Sequence, residues 1–130
     1  MYNSPYSLSH SERLRSLSGI KELFSQGESG FVYPLRYVWR VKSAESETEE
    51  TNVAVLFTVS KKFHRRANKR NLLRRRVKEA YRLQKEIVVG KVDSTKEIEL
   101  ALIYSTKEAH TYKTIRNAVR KILEHISTSC

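Results

Sequence analysis

Two kinds of apolar pattern follow one another in the first third of the chain. Apolar residues recur at helical spacing over Ser11–Ser25, and Gly27 lies just beyond them as a typical stop signal, so a short helix is predicted here. These apolar residues are Leu14, Leu17, Ile20, Leu23 and Phe24. The next segment, Phe31–Lys42, is rich in valine, tyrosine and tryptophan and predicts a strand, with Pro34 near its start or edge.

The middle of the chain changes from a polar loop to a buried strand and then to a long helix. Ser43–Asn52 contains four glutamates and no large apolar residue, which predicts a solvated hairpin loop. Val53–Ser60 is almost continuously apolar and β-branched, as expected for a central strand covered on both faces. A helix is predicted from Arg66 to Glu86, because that segment lacks glycine and proline and is full of good helix formers.

A loop, a strand and a helix complete the chain. Val88–Lys96, with Gly90 inside it, predicts the loop, Ile98–Tyr104 a second buried strand, and Thr111–Ile126 an amphipathic helix. The apolar side of this last helix consists of Ile115, Ala118, Val119, Ile122 and Ile126. The resulting order, α-β-β-α-β-α, indicates an α+β sandwich in which a small sheet is packed by helices. A further short strand has no assigned place in this order.

The helix predicted over Arg66–Glu86 has an apolar seam and a polar side. At about 100° per residue, the side chains that fall close to Leu73 should face the sheet, and they are Val77, Ala80, Tyr81 and Gln84. The adjacent arc holds polar and cationic side chains and no acid. This arc, the cationic stripe, consists of Asn71, Arg74, Arg75, Lys78, Arg82 and Lys85. Because a merely solvated helix face normally mixes charges of both signs, the stripe indicates binding of nucleic acid.

Positive charge is concentrated in the same part of the chain. The segment Lys61–Lys85 holds twelve basic residues and one acid, Glu79, so its net charge of +11 equals that of the whole chain. The other 105 residues carry thirteen basic and thirteen acidic side chains. So dense a patch repels itself, and a polyanionic partner is the simplest physical reason for its presence.

Length and cysteine content limit the class of protein. A chain of 130 residues with 39% hydrophobic residues suits a single domain with a modest core. Its single cysteine, Cys130, excludes an intrachain disulfide and a multi-cysteine zinc site, and we expect a free thiol in a reducing compartment. No apolar run approaches the roughly 20 residues of a membrane span, and the N-terminus lacks a signal-peptide core. We therefore expect a soluble cytoplasmic protein.

Residues for catalysis by the protein itself are scarce. The histidines lack metal-ligand spacing and are expected at the surface or at helix ends; they are His10, His64, His110 and His125. No phosphate-binding loop occurs among the four glycines, and the acids concentrate around Glu45–Glu50 in a predicted loop. A self-sufficient nuclease needs clustered carboxylates to hold divalent ions. We therefore predict no catalytic and no metal-binding residue in this chain.

The residues of the stripe bear on which nucleic acid the chain would bind. Arginine outnumbers lysine on the cationic stripe, which favours bidentate phosphate contacts, and Asn71 can bind a base edge or a ribose hydroxyl. A bZIP-like basic region is the obvious DNA interpretation, but no leucine heptads follow Gln84, and helix-turn-helix spacing is also absent. Aromatic residues of the first helix and strand suit a core or sheet surface, and exposed rings in a cleft would suit stacking on bases. These residues are Phe24, Phe31, Tyr33, Tyr37 and Trp39.

The run VSKKFHRRANKRNLLRRRVKEAYR, Val59–Arg82, resembles the signature segment of the bacterial ribonuclease P protein subunit. In that family a strand ending in Val-Ser/Ala-Lys-Lys leads through a turn into a helix that opens Ala-x-x-Arg-Asn-Arg. The matching residues are Val59, Ser60, Lys61, Lys62, Ala67, Arg70, Asn71, Arg74, Arg75, Lys78, Glu79, Ala80 and Tyr81. Leu72 replaces the second arginine of the triplet and lies off the cationic stripe. A weaker resemblance covers about Glu12–Ile126.

This resemblance implies both a fold and a function. Such proteins form an α-β sandwich with a left-handed βαβ crossover, and they assemble with a catalytic RNA that removes the 5′ leader of precursor tRNA. The RNA performs the hydrolysis with bound Mg²⁺, so no metal is expected on the protein alone. No membrane and no obligate protein partner are expected either. The residues implied to bind the catalytic RNA are Arg66, Arg70, Asn71, Arg74, Arg75, Lys78 and Arg82. Those implied to bind the leader are Phe24, Tyr37, Ser60, Lys61 and Lys62.

Two other functions stay open at this point. A general RNA-binding or ribosomal protein of similar fold would share the cationic stripe but would have no catalytic RNA as partner. A stand-alone endonuclease would cleave without RNA, and the scarcity of clustered acids argues against it.

Overall fold

A computed structural model describes residues 17–43, 53–88 and 96–129 of the chain. Within them lie three helices, α1 (Leu17–Gln26), α2 (Ala67–Gln84) and α3 (Tyr112–Ser129). The four strands are β1 (Glu28–Val32), β2 (Leu35–Ser43), β3 (Val53–Val59) and β4 (Lys96–Tyr104). A short 3₁₀ turn, Lys85–Ile87, extends α2. The start of the helix predicted over Ser11–Ser25, most of the two predicted loops, and Cys130 lie outside the described residues.

One mixed sheet with the strand order β1-β2-β4-β3 organises these elements. β1 pairs with β2 and β2 with β4 in antiparallel orientation, whereas β3 and β4 are parallel. The parallel pair is joined through α2, as parallel strands require a crossover connection. The predicted α+β class and element order are confirmed, and β1 is the further strand that had no assigned place. The left hand of the crossover stays a prediction.

Two details of the predicted strands are wrong. Phe31–Lys42 is two strands of a hairpin, because the chain reverses at Tyr33–Pro34 and proline has no N–H to donate to a ladder. Val53–Ser60 is the edge strand β3 and not a central strand, and β4 takes the central place. Since β4 lies between β2 and β3, the link between those two strands is also not a hairpin loop.

Strand alternation sorts side chains onto two faces of the sheet. In β4, Ile98, Leu100 and Leu102 enter the main core beneath α2 and α3, whereas Ala101 enters a smaller cluster beneath α1. The seam predicted for α2 is confirmed, with Leu73, Val77, Ala80 and Tyr81 buried. The apolar side predicted for the last helix is also buried in α3, together with Leu123. Two helices thus cover one face, and α1 covers part of the other.

An arginine on the α1 face joins three elements. Arg40 of β2 donates from Nε to Glu99 Oε1 of β4 at 2.5 Å, and from Nη2 to Glu22 Oε2 of α1 at 2.9 Å. Its Nη1 donates to Gln26 Oε1 at 3.0 Å. The hydrogen bonds to Glu99 and Glu22 raise the pKa of the Arg40 guanidinium. The Glu99 side chain is only 3% exposed, so the Arg40 guanidinium is paired with a buried carboxylate.

Replacing Arg40 should therefore cost more than replacing an ordinary surface arginine. We expect Arg40→Ala to lower the free energy of unfolding by about 2–3 kcal/mol, because it removes the guanidinium that pairs with a buried carboxylate. Arg120→Ala is the matched control, since Arg120 forms an exposed pair with Glu124 at 3.8 Å, and its loss should be below about 1 kcal/mol. Urea unfolding measures both changes. Equal losses in the two variants would show that the Arg40 contacts contribute nothing special.

Candidate nucleic-acid interface

The connection between β3 and α2 is held by hydrogen bonds to the end of β4, to the segment that follows β4, and within the connection itself. The Ser60 N–H donates to the Tyr104 carbonyl at 3.0 Å and so prolongs the parallel ladder by one residue. Further along, His64 Nε2 donates to the Thr106 carbonyl oxygen at 2.6 Å, since that oxygen can only accept. His64 is buried, which corrects the expectation of a surface histidine. Arg70 Nη1 closes the turn by donating to the carbonyl oxygens of His64 at 3.2 Å and Arg65 at 2.7 Å.

Helix α2 presents most of the cationic stripe to solvent. Asn71, Arg74 and Arg75 are exposed, and Lys78 is half-buried. Arg66, which precedes the helix as its N-cap, is also exposed and caps no N–H with its side chain. With no acid in its first turn, α2 leaves the positive end of its dipole uncompensated there. In the part of the chain that the structure describes, α2 therefore combines exposed cations with a positive helix end.

Two cations of the stripe differ from the prediction in their surroundings. Lys85 falls in the 3₁₀ turn after α2 and is only 6% exposed, so it is not on the presented surface. Arg82 is paired with Glu79, with 2.5 Å between Nη2 and Oε1. This hydrogen bond raises the pKa of Arg82 and lowers the pKa of Glu79. Arg82 thus reaches solvent as an ion pair with less net charge than Arg74 or Arg75.

A cleft opens on the other face of the sheet, between α1 and the turn after β3. It has a volume of about 470 Å³. The residues that line this Phe24 cleft are Phe24, Gly27, Ser29, Arg36, Val38, Ser60, Lys62, Phe63, Ile103 and Ser105. Three predicted leader residues, Phe24, Ser60 and Lys62, therefore meet in one cleft. Its described lining includes two cations and no acid, and the Phe24 side chain is 46% exposed.

Gly27 allows the wall of this cleft to lie close to the sheet. A Cβ atom at Gly27 would lie 2.5 Å from the Leu23 carbonyl oxygen and 2.7 Å from Val38 Cγ1, closer than a side chain can be placed. The Gly27 N–H donates to the same Leu23 carbonyl at 2.7 Å. The chain can thus leave α1 directly above β2, which keeps Phe24 beside the cleft.

The other two predicted leader residues lie outside the cleft. Tyr37 is on the opposite face of β2, 8% exposed in the main core, with its ring centroid 6.1 Å from that of His125. Its neighbours Arg36 and Val38 point into the cleft instead, because side chains alternate along a strand. Tyr37 is therefore not available for stacking there. Lys61 is exposed in the turn next to Lys62 but does not line the cleft.

Sequence reasoning missed Arg36 and Phe63 as cleft residues. Arg36 could have been found from the alternation of β2, which places it on the same face as Val38 and Arg40. Phe63 lies in the turn, where no periodic pattern assigns a side. Its ring lies 5.7 Å from Lys62 Nζ, within the range of a cation–π contact.

The described residues contain neither a cluster of metal ligands nor a membrane-spanning helix. Among residues 17–43, 53–88 and 96–129, no three histidine, cysteine, aspartate or glutamate side chains come together as metal ligands would. None of the helices in these segments is long and apolar enough to span a bilayer.

Comparison with known proteins identifies the family. The ribonuclease P family model matches residues 8–127. A ribonuclease P protein component from Porphyromonas gingivalis is 36% identical over 124 residues, which cover 94% of this chain and 88% of the relative. The chain belongs to the ribonuclease P protein family. Its members are the protein subunits of an RNA-catalysed endoribonuclease that acts in tRNA 5′ processing, and this chain shares that role.

Further relatives of the ribonuclease P family agree with this assignment. The protein component from Chlorobaculum tepidum is 31% identical over 131 residues, covering 92% of this chain and 82% of the relative. The solved structure of the RNase P protein from Thermotoga maritima has a TM-score of 0.66 at 23% identity, covering 88% of this chain and 96% of that chain. The family predicted from Val59–Arg82 is confirmed, and its strand–turn–helix segment is the link from β3 to α2.

Proposed function

We propose that this subunit uses two separate surfaces for two RNAs. Arg66, Arg70 and the exposed part of the cationic stripe bind the catalytic RNA, and the Phe24 cleft binds the 5′ leader of precursor tRNA. The proposal rests on the positions of these two surfaces, which lie on either side of the connection between β3 and α2. Exposed cations without an acid among them lie on α2, and an acid-free cleft with an aromatic wall lies across the sheet.

The exposed stripe suits the backbone of a structured RNA. In the described part of the chain, the side chains of Arg66, Arg74 and Arg75 make no hydrogen bond or ion pair, so their guanidinium groups are available for bidentate phosphate contacts. Asn71 lies among them with one donor and one acceptor group to offer a base edge or a 2′-hydroxyl. Arg70 contributes less, because one of its nitrogens already holds the turn.

The Phe24 cleft suits an unpaired strand. The exposed Phe24 ring offers a stacking surface that accepts any base, and Lys62 and Arg36 place positive charge near the phosphates. Ser60 adds a hydroxyl at the cleft, and Lys61 lies beside it in the same turn. These contacts need no particular base, as a protein that acts on many different precursor tRNAs requires.

The protein's contribution to the reaction is electrostatic and positional. The catalytic RNA supplies the hydrolytic chemistry with its bound Mg²⁺, and the protein brings a net charge of +11 between two polyanions. Binding of the leader in the cleft holds precursor tRNA next to the catalytic RNA bound on α2. The proposal places this assembly in the cytoplasm, with precursor tRNA as substrate.

The salt dependence of catalytic-RNA binding tests the stripe. If about six phosphates are neutralised, log affinity should fall with log salt at a slope of roughly −4 to −5. We expect Arg74→Ala with Arg75→Ala to flatten this slope by about two units, because two phosphate contacts are lost. Arg116→Ala with Arg120→Ala on α3 removes the same charge and should leave the slope unchanged. A larger change in the α3 variant would place the catalytic RNA on α3.

Reconstitution of processing tests the function of the cleft. The protein, the catalytic RNA of the same organism and precursor tRNA are combined at low Mg²⁺, and each component is also assayed alone. Cleavage at the mature 5′ end should require the RNA and should be stimulated by the protein. Phe24→Ala should weaken binding of precursor tRNA to the holoenzyme by about 5- to 150-fold, the range measured for one stacked base.

Two controls make the result specific to the leader. Phe24→Tyr keeps an aromatic ring and should retain most of the affinity, and mature tRNA without a leader should bind equally to both variants and to the unaltered protein. Cleavage by the protein alone, or equal losses with and without a leader, would contradict the proposal.

A further inference from the structure

The presented row of cations on α2 stops well before the helix ends. It begins with Arg66 at the N-cap and continues to the half-buried Lys78. The next cation, Arg82, is bound to an acid: its Nε donates to Glu79 Oε2 at 3.1 Å, and its Nη2 donates to Glu79 Oε1 at 2.5 Å. The cation after that, Lys85, is buried. Glu79 therefore stands where the row ends.

Glu79 also belongs to a flank of α2 that differs from the stripe. At about 100° per residue, Leu72, Arg76, Glu79 and Leu83 fall within an arc of about 60°. The two leucines are exposed, by 44% and 41%. Arg76 Nη1 is held by the His110 carbonyl oxygen at 2.8 Å, and the Glu79 side chain is 47% exposed. An RNA backbone displaced from the stripe onto this flank would meet a carboxylate and two apolar side chains.

The stability of the helix gives little reason for an acid at this position. Glu79 is the one acid among the twelve basic residues of Lys61–Lys85. Its pair with Arg82 joins two solvent-accessible side chains at i,i+3, and such pairs contribute little to folding. The hydrogen bond from Arg82 lowers the pKa of the Glu79 carboxyl, so the group is charged at neutral pH. Because non-specific RNA binding strengthens with every cation that meets a phosphate, this charge weakens the affinity for RNA in general.

We propose that Glu79 is a specificity-determining residue, which holds Arg82 and so limits the RNA contact on α2 to the row from Arg66 to Lys78. The catalytic RNA keeps all of its contacts, because its phosphates follow this short row. An unrelated RNA binds wherever cations are available and loses one contact, so the difference between the two affinities grows. This inference rests on the proposed function, since it takes the stripe as the surface for the catalytic RNA.

Glu79→Gln tests the inference, because it keeps the size of the side chain and removes the charge that holds Arg82. The variant is titrated with the catalytic RNA and with a ribosomal RNA fragment of the same length, each over a series of salt concentrations. For the ribosomal fragment, the log–log salt slope should become steeper by about 0.7 to 0.9, the value of one phosphate contact. Between 200 and 50 mM salt, this adds a roughly 3-fold gain in affinity. The slope and the affinity for the catalytic RNA should stay as they are.

Two further variants separate the role of Glu79 from a general change of charge. Glu124→Gln on α3 removes the same charge and releases Arg120 from its i,i+4 pair, and it should leave the ratio of the two affinities unchanged. Glu79→Gln combined with Arg82→Gln releases no cation and should restore the original slope for the ribosomal fragment. An unchanged ratio in Glu79→Gln would overturn the inference. An equal change of the ratio in Glu124→Gln, or a slope that stays steep in the double variant, would overturn it as well.

The same titration distinguishes this inference from the proposed function. Arg74→Ala with Arg75→Ala should flatten the salt slope for the catalytic RNA, as stated above. If it does and Glu79→Gln leaves the ratio unchanged, the stripe binds the catalytic RNA and only the role of Glu79 is wrong. If the slope is not flattened, the stripe is not the surface for the catalytic RNA, and the proposed function of α2 fails.

Discussion

The parallel pairing of β3 with β4 is the constraint on which both proposed surfaces depend. The pairing continues past the strand through the Ser60 N–H and the Tyr104 carbonyl, and the buried His64 then fixes the turn to Thr106. Arg70 returns from α2 to the same turn. Because the turn is held at these points, the direction of α2 and the position of Lys62 in the cleft are set together. A change in this connection would move both surfaces at once.

The total charge of the chain is a poor measure of its binding surface. Several arginines are occupied in holding the protein together, by a carboxylate or by backbone carbonyls; they are Arg40, Arg70, Arg76 and Arg82. Others reach solvent without such contacts in the described residues; they are Arg36, Arg66, Arg74 and Arg75. Arg36 lies outside the dense basic segment, whereas Lys85 lies inside it and is buried. Only the fold separates cations that bind the chain itself from cations that can bind RNA.

Periodicity predicted the helices and strands well where a single face is buried. The seam of α2 and the apolar side of α3 follow from a period of 3.6 residues, and the structure buries both. Sheet order could not be predicted from periodicity. The apolar run of β3 would have the same sequence pattern in a central strand as in an edge strand covered by helices. The turn at Pro34 was missed because apolar residues continue on both sides of it. The signature of the family, in contrast, lies in a local strand–turn–helix that needs no knowledge of sheet order.

The candidate site could be predicted only in part, because a local pattern does not tell which face of a strand lies at the site. Phe24, Ser60 and Lys62 come together because the ends of α1 and β3 are near the cleft. The family resemblance implied leader binding for Tyr37 as well, but alternation in β2 directs Tyr37 to the main core and Arg36 to the cleft. Which alternate side of a strand meets the ligand depends on the helices that cover each face. That information is tertiary and is not contained in the local pattern.

Site-specific crosslinking tests most directly whether two surfaces bind two RNAs. In a protein whose single cysteine is removed by Cys130→Ser, a photoreactive group is attached at Arg75→Cys on α2 or at Phe24→Cys in the cleft. Each is assembled with the catalytic RNA and precursor tRNA and then irradiated. We predict that position 75 attaches to the catalytic RNA and position 24 to the leader. Attachment of both positions to the same RNA would contradict the account.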